Sequence, residues 1–301
     1  MNNTNAIRIK SSFGDRIFDY VNILLLSILL LIVVLPLLFI VNASFSDPDE
    51  VLRGNVLLYP AGFTLEGYAR VFVDPKVWQG YWNVAVYTVV GTAINLLMTI
   101  AGAYPLSRKD FRGGSLFMVL ITFTMFFSGG MIPSFLLVKD LGLYNSMWAI
   151  VLPPAVGVWN LIIAKTYFQY SIPNELKEAA HIDGCNNIVF LLKIVIPLSL
   201  PILAVLGLFY GVGHWNNFMR ALLYLSDENK YPLQIVLRQI LLQNQISGAS
   251  LDDITSAVER QKLSQLLRYS LIIVSSAPLL IVYPFLQRFF VKGMLIGAVK
   301  G

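Results

Sequence analysis

The side chains best suited to chemistry in this sequence are few, and they do not converge. Asp252, Asp253 and Glu259 could act as acid and base on a lipid or sugar-lipid within a membrane, but no histidine stands nearby and a solvated loop is the plainer reading. His181 and His214 are the only histidines. Two cannot by themselves build a metal site of the usual kind, and packing at a surface or interface outweighs ligation for each, so no metal is expected. Cys185 is the single cysteine, which excludes an internal disulfide. No Gly-x-x-x-x-Gly-Lys-Ser/Thr run occurs, so the chain lacks the backbone nest that cradles nucleotide phosphates. No catalytic residue and no cofactor is expected of it, and any energy it uses must come from another subunit.

One segment carries recognition chemistry instead. Glu178-Ala179-Ala180-His181-Ile182-Asp183-Gly184 lies on a polar stretch, 171–194, between two long apolar runs. Ser171-Ile172-Pro173-Asn174-Glu175 opens it: proline suits a first helical position, where its missing N–H costs nothing, and Glu175 and Glu178 suit the positive end of the helix dipole. Gly184 closes it, because a left-handed C-terminal residue is easiest for glycine. Leu176, Ala179, Ala180 and Asp183 recur at i, i+3, i+4 and i+7 and so share one face. The two alanines let another backbone come close, and Asp183 can pair with a basic residue or accept loop N–H bonds. A helix lying in lipid headgroups would want large apolar side chains and a basic opposite face; here the face is small and the other side carries Glu175 and Glu178. The segment reads as a plug for a groove on a partner protein. A second helical run from Asn186 through Phe190 to Pro197 joins it to the next apolar helix as a lever.

The elements that position this plug are membrane helices. Of 301 residues, 56% are hydrophobic and 13% charged, and the mean hydropathy is +0.68, too apolar for a water-soluble domain of this size. A span needs roughly 20 apolar residues, since only a helix satisfies its own backbone groups in hydrocarbon. Six stretches qualify, at 18–41, 82–106, 115–138, 148–168, 195–212 and 269–290, giving an all-α, polytopic fold in one domain over 1–301. The short segments at both termini and in the second-to-third and fourth-to-fifth loops, with the span ends that adjoin them, hold 12 of the 22 Lys and Arg and only 6 of the 17 Asp and Glu. Both termini are therefore expected in the cytoplasm, with the chain in the plasma or inner membrane. This asymmetry accounts for the net charge of +5 without nucleic acid as a partner.

The expected spans carry few polar groups, among them Thr88, Thr92, Asn95, Thr99, Ser128 and Asn160, and no carboxylate or arginine near a midplane. A proton- or sodium-coupled carrier would hold its coupling ion on such ionisable groups, so their absence argues against secondary transport and fits a neutral, hydroxyl-rich solute. Asn95 and Asn160 could line a pore and bond that solute, or bond between helices. Prolines at 36, 105, 133, 153, 154, 197, 201, 278 and 284 invite kinks, which suit a bundle that changes shape. The long outer loop, 213–268, begins His214-Trp215-Asn216-Asn217-Phe218, with Trp215 suited equally to the pore or to the interfacial aromatic belt. It continues through an amphipathic stretch, Leu233 to Leu242, to a polar tip at 244–250 that could reach into a partner's cleft.

At the plug the chain resembles the membrane-spanning subunits of binding-protein-dependent ABC importers, whose cytoplasmic signature runs Glu-Ala-Ala, two variable residues, Asp-Gly, and later a Pro ahead of a span. Glu178, Ala179, Ala180, Asp183, Gly184 and Pro197 match; Cys185 stands where alanine is usual. The Trp215-Asn216-Asn217-Phe218 stretch and the ending from Arg288 to Gly301 are similar to the carbohydrate branch, the maltose-type second permease and its complex-sugar relatives. The resemblance implies the type I importer permease fold and a half-pore for a saccharide. Its partners would be a second, different permease, two ATPase subunits that bind the ATP, and an extracytoplasmic solute-binding protein. It implies ATPase coupling through Leu176, Glu178, Ala179, Ala180, Asp183 and Gly184. A tail with Gly293, Gly297, Lys300 and Gly301 would approach the ATPases, and a loop with Asn244, Gln245, Ser247 and Gly248 would face the binding protein.

Overall fold

In the computed structural model of the chain, the described residues are 12–246 and 254–298, and among them every regular element is helical. The first helix, α1 (Phe13–Ser44), is apolar all round, and its most apolar window has no buried residue. Such a helix belongs against lipid. Two Asp-Pro pairs then start helices in the same way: Asp47 accepts from the Asp49 N–H at 2.8 Å to begin α2 (Pro48–Leu52), and Asp74 accepts from the Lys76 N–H at 2.9 Å. Between them lies α3 (Glu66–Val73), and Asp74 opens α4 (Pro75–Ser107). Proline at the first position has no N–H to leave unpaired, and the aspartate satisfies one of the others.

Glycine and proline then break the expected third, fourth and fifth spans. α5 (Gly114–Phe126) and α6 (Met131–Asp140) meet at a 111° bend, where Gly130 takes φ +87°, a conformation that a side chain would strain. α7 (Met147–Val151) and α8 (Val158–Ser171) are separated at Pro153-Pro154. After α9 (Asn174–Ile182) comes α10 (Asn187–Phe190), then a π-helical turn at Leu191–Val195, then α11 (Ile196–Leu198). Another bend, of 81°, separates this arm from α12 (Leu200–Trp215). Pro197 and Pro201 each lack the N–H that would continue an i to i−4 ladder. Val195 therefore belongs to the arm before the bend, and the expected span over 195–212 is kinked where Pro197 and Pro201 stand.

The expected second span lengthens at its start to Pro75. The expected outer loop is helical in α13 (Met219–Tyr224), in α14 (Leu233–Ile246) and in the start of α15 (Ile254–Ala298), which contains the expected sixth span. Among the described residues three stretches are long and apolar enough to cross a membrane as single helices, α1, α4 and Gln261–Phe285, and counting each bent pair as one span makes up to five. The interrupted fourth stretch does not pass as a single helix, because its two prolines divide it.

The described contacts form two compact units, one of residues up to Val71 with Asn244–Ile273, the other of Phe72–Gln243 with the segment from Val274. In the first, Ser44 and Tyr68 share a hydroxyl bond of 2.7 Å, and Lys262 pairs with Asp49 at 2.6 Å. In the second, α4 is the central post, packed chiefly on α12 and α8. One end of α4 is stitched to the turn before α14 by bonds from Asn83 to the Asn229 and Tyr231 carbonyls and from Tyr87 to the Lys230 carbonyl. Asn145, left-handed at φ 57°, holds that same turn through its side chain, which accepts from the Ser226 and Asp227 N–H groups.

Candidate functional site

The plug is α9, and its ending is a complete glycine cap. The Gly184 N–H donates to the His181 carbonyl at 3.1 Å and the Cys185 N–H to the Ala180 carbonyl at 2.8 Å, with Gly184 at φ +74°. These are the two bonds of the Schellman motif, and its usual apolar contact is present too, since Cys185 packs on the buried cluster that includes Ala180. The start differs by one position from expectation: Pro173 is the N-cap, just outside the helix.

The four residues expected on one outward face divide. Ala180 is 8% exposed and joins Phe168, Phe190, Leu161 and Leu206 in the core, whereas Leu176, Ala179 and Asp183 face outward with Glu178, Ile182 and Gly184. An apolar residue at i+4 lies at the edge of the stripe, and here the bundle claims that edge. The second alanine thus lets α9 seat closely on its own membrane helices, and Ile182, 86% exposed, is with Leu176 a large apolar side chain presented outward.

A charged clasp holds α9 and α10 to the loop after α4. Arg108 donates to Asp110 through Nη2 at 2.6 Å and Nε at 3.0 Å, and to the Asn187 side chain through Nη1. Lys177 of α9 donates to Asp110 at 3.1 Å. The Arg108 guanidinium holds the Asp110 carboxyl well below the usual carboxylate range, with Lys177 adding to the effect, and Asp110 in turn raises Arg108. Tyr104, Arg108, Lys109, Phe168, Lys177 and Phe190 line a cleft beside this clasp.

Deeper in the same unit runs a polar seam. The proline break between α7 and α8 frees backbone groups that a continuous helix would pair, and side chains from two neighbouring helices take them up. Asn95 of α4, fully buried, donates to the Pro154 carbonyl and accepts from His214 of α12, the Nε2 to Oδ1 distance being 2.6 Å. Tyr210 OH accepts from the Gly157 N–H at 3.1 Å and bonds Thr99 at 2.7 Å. Because the Asn95 amide nitrogen is already a donor to Pro154, its oxygen requires a proton from His214 Nε2, which leaves Nδ1 as the unprotonated nitrogen. His214 Nδ1, Asn217 Nδ2 and the Thr88 and Thr92 hydroxyls are buried and have no partner among the described residues. Glycine permits the crossing: a Cβ on Gly91 would stand 2.5 Å from the His214 ring.

Of the residues expected to line a pore, Asn95 has no exposed surface and is engaged at both ends of its amide. Asn160 is partly buried on α8. Trp215 is 7% exposed and donates to the Ser275 carbonyl at 3.0 Å, so it is packed inward. Asn244 and Gln245 fall at the end of α14, and Gly293 and Gly297 on α15; Ser247, Gly248, Lys300 and Gly301 lie outside the described residues, as do Asp252 and Asp253. Sequence reasoning missed the pairing of His214 with Asn95 and the clasp at Asp110. The spacing of Thr88, Thr92, Asn95 and Thr99 along one helix face was the available signal for the seam. Nothing in the sequence ties Asp110 to Lys177.

The family described as binding-protein-dependent transport system inner membrane component matches residues 99–296. Protein LplC of Bacillus subtilis (strain 168) is 43% identical over 301 residues, covering 100% of this chain and 98% of its own length. The polygalacturonan/rhamnogalacturonan transport system permease protein YtcP of the same organism is 42% identical over 287 residues, 95% of this chain and 99% of its own. Among solved structures, a crystal structure of a bacterial ABC transporter involved in the import of the acidic polysaccharide alginate contains a chain with a TM-score of 0.82 and 34% identity, covering 94% of this chain and 99% of that one.

Proposed function

This chain belongs to the family of binding-protein-dependent transport system inner membrane components, and from that membership we propose that it is one half-pore of an ATP-driven saccharide importer, moved by partner ATPases through α9. Members are multi-pass membrane permeases, not enzymes, and in general work with a partner permease, ATPases and a solute-binding protein. The finer assignments are part of the reading: a second, different permease, two ATPase subunits holding the ATP, a single permease domain over 1–301, and both termini in the cytoplasm. The saccharide is supported by relatives named for sugar-polymer transport. An intramembrane enzyme and an ion-coupled carrier find no support in the family.

The observation that carries the coupling role is the division of α9 into two faces. Its inner face, Lys177 and Ala180, is fixed to the bundle by a clasp and a core contact, while its outer face, Leu176, Glu178, Ala179, Asp183 and Gly184, is open. A rigid element fixed on one side and free on the other passes force from a partner to the membrane helices. ATP closing the ATPase pair would then shift the bundle between inward- and outward-facing states. The Asn244–Gly248 tip toward the binding protein and the Gly293–Gly301 tail toward the ATPases complete the proposal.

The test uses the co-purified complex. Gly184→Val forces a β-branched side chain into a left-handed backbone position, at a cost of about 1–2 kcal/mol, while space around it is open. The variant is expected to insert and assemble, yet to lose most saccharide uptake while ATP hydrolysis continues. Wild-type uptake by it would contradict the coupling role.

A further inference from the structure

Arg220 opens α13 just beyond the end of α12, and it is a partly buried cation without a counter-charge among the described residues. Among the described residues it makes no ion pair, and burial holds its guanidinium below the ordinary value. Its backbone N–H and its Nε both donate to Asn217 Oδ1, at 3.3 and 3.2 Å, which fixes the start of the side chain. The two terminal amino groups of the fork have no hydrogen-bond partner among the described residues. Asn217, 8% exposed, has its Nδ2 buried and without a partner among the described residues, and one turn earlier His214, 4% exposed, has an Nδ1 that is likewise unpartnered among them.

Each of these groups wants something of definite chemistry. A guanidinium partly withdrawn from water favours an anion, and its planar fork matches a carboxylate through two parallel bonds. The Asn217 amide adds a neutral donor beside it. His214 Nδ1, its sister nitrogen already committed to Asn95, can only accept, as from a hydroxyl. A carboxylate and hydroxyls carried on one small ring describe a uronic acid. We propose that Arg220, with Asn217 and His214, is a carboxylate-recognition point on the solute path, so that the saccharide carried is acidic, an oligomer of uronate units. This rests on the reading of the chain as half of a saccharide pore. Arg238, exposed, with its guanidinium carbon 4.9 Å above the Phe218 ring and in no ion pair among the described residues, supplies a second cation for a repeating acid.

The experiment uses the complete importer with its binding protein in proteoliposomes. The probes are oligosaccharides from a polygalacturonate hydrolysate and the same oligosaccharides after reduction of their carboxyl groups. Uptake and stimulated ATP hydrolysis are expected to be at least tenfold greater with the acidic probe. Arg220→Gln should lose at least tenfold of that uptake, with Arg220→Lys between the two. Asn217→Asp keeps the shape of the site and places a carboxylate where Arg220 already bonds, so it should fold, assemble and lose acidic uptake to the same degree. Equal uptake of both probes by the wild type, or unchanged acidic uptake by Asn217→Asp and Arg220→Gln, overturns the proposal. So does loss of the partner permease from either variant on purification, which would make a subunit carboxylate the occupant of the fork. If only neutral saccharides stimulate the wild type, the carboxylate site falls and the saccharide pore stands; if no saccharide stimulates it, both fall.

Discussion

Asn95 shows how one amide can set the geometry of a membrane bundle. Its two ends bind the Pro154 carbonyl and the His214 ring, so a single residue of α4 ties down both the proline break and α12. In an apolar interior an unpaired amide or imidazole costs about 1–3 kcal/mol, which makes the pairing a strong constraint on helix register. Gly91 is the other half of the arrangement, because the ring occupies the space a side chain would need. Gly91→Ala is therefore expected to push His214 aside and destabilise the purified protein by about 1–3 kcal/mol. Gly213→Ala, on the same helix as His214 but with open space around it, should leave the thermal midpoint unchanged. Equal midpoints for both variants would show that the ring contact carries no weight.

Among elements, the clasp between the Arg108–Asp110 loop and α9–α10 is the attachment through which α9 would act as the proposed lever. Its ion pairs are partly solvated, with side-chain exposures of 16% for Arg108 and 55% for Asp110, so the expected worth is at most about 1 kcal/mol. A carboxyl whose folded pKa is depressed gives support that is full above its ordinary pKa and is lost only as the pH falls through the lower folded value. Solute moved per ATP should thus be flat from about pH 5 to 8 as far as Asp110 is concerned, and should fall at high salt. Asp110→Asn should reproduce the salt effect at low salt. A normal transport ratio in that variant would remove the clasp from the mechanism.

How much of this was legible in the sequence follows from the range of the interactions. The cap at Gly184, the amphipathic run at α14 and the prolines that break the spans depend on residues within a turn or two of each other, and they could be read directly. Which face of α9 points inward could not, since Ala179 and Ala180 are chemically the same and only the packing of Phe190 and Phe168 decides between them. The seam was half legible: the polar residues of α4 were evident, but His214 and Tyr210 lie more than a hundred residues away along the chain.

For the whole molecule, the account depends on α9 being a contact with a motor subunit, because the chain has no nucleotide loop of its own. As the proposed half-pore, the chain would change state only as its partners do, so stability and activity would belong to the assembly. The most direct measurement is site-directed crosslinking in the assembled importer, with Cys185→Ala removing the native thiol. The account predicts that Ala179→Cys and Asp183→Cys, on the outward face, crosslink to an ATPase subunit carrying cysteines in its membrane-facing cleft. It predicts that Ala180→Cys, turned into the bundle, does not. Failure of both outward positions to crosslink in any nucleotide state, or efficient crosslinking from Ala180→Cys alone, would contradict it.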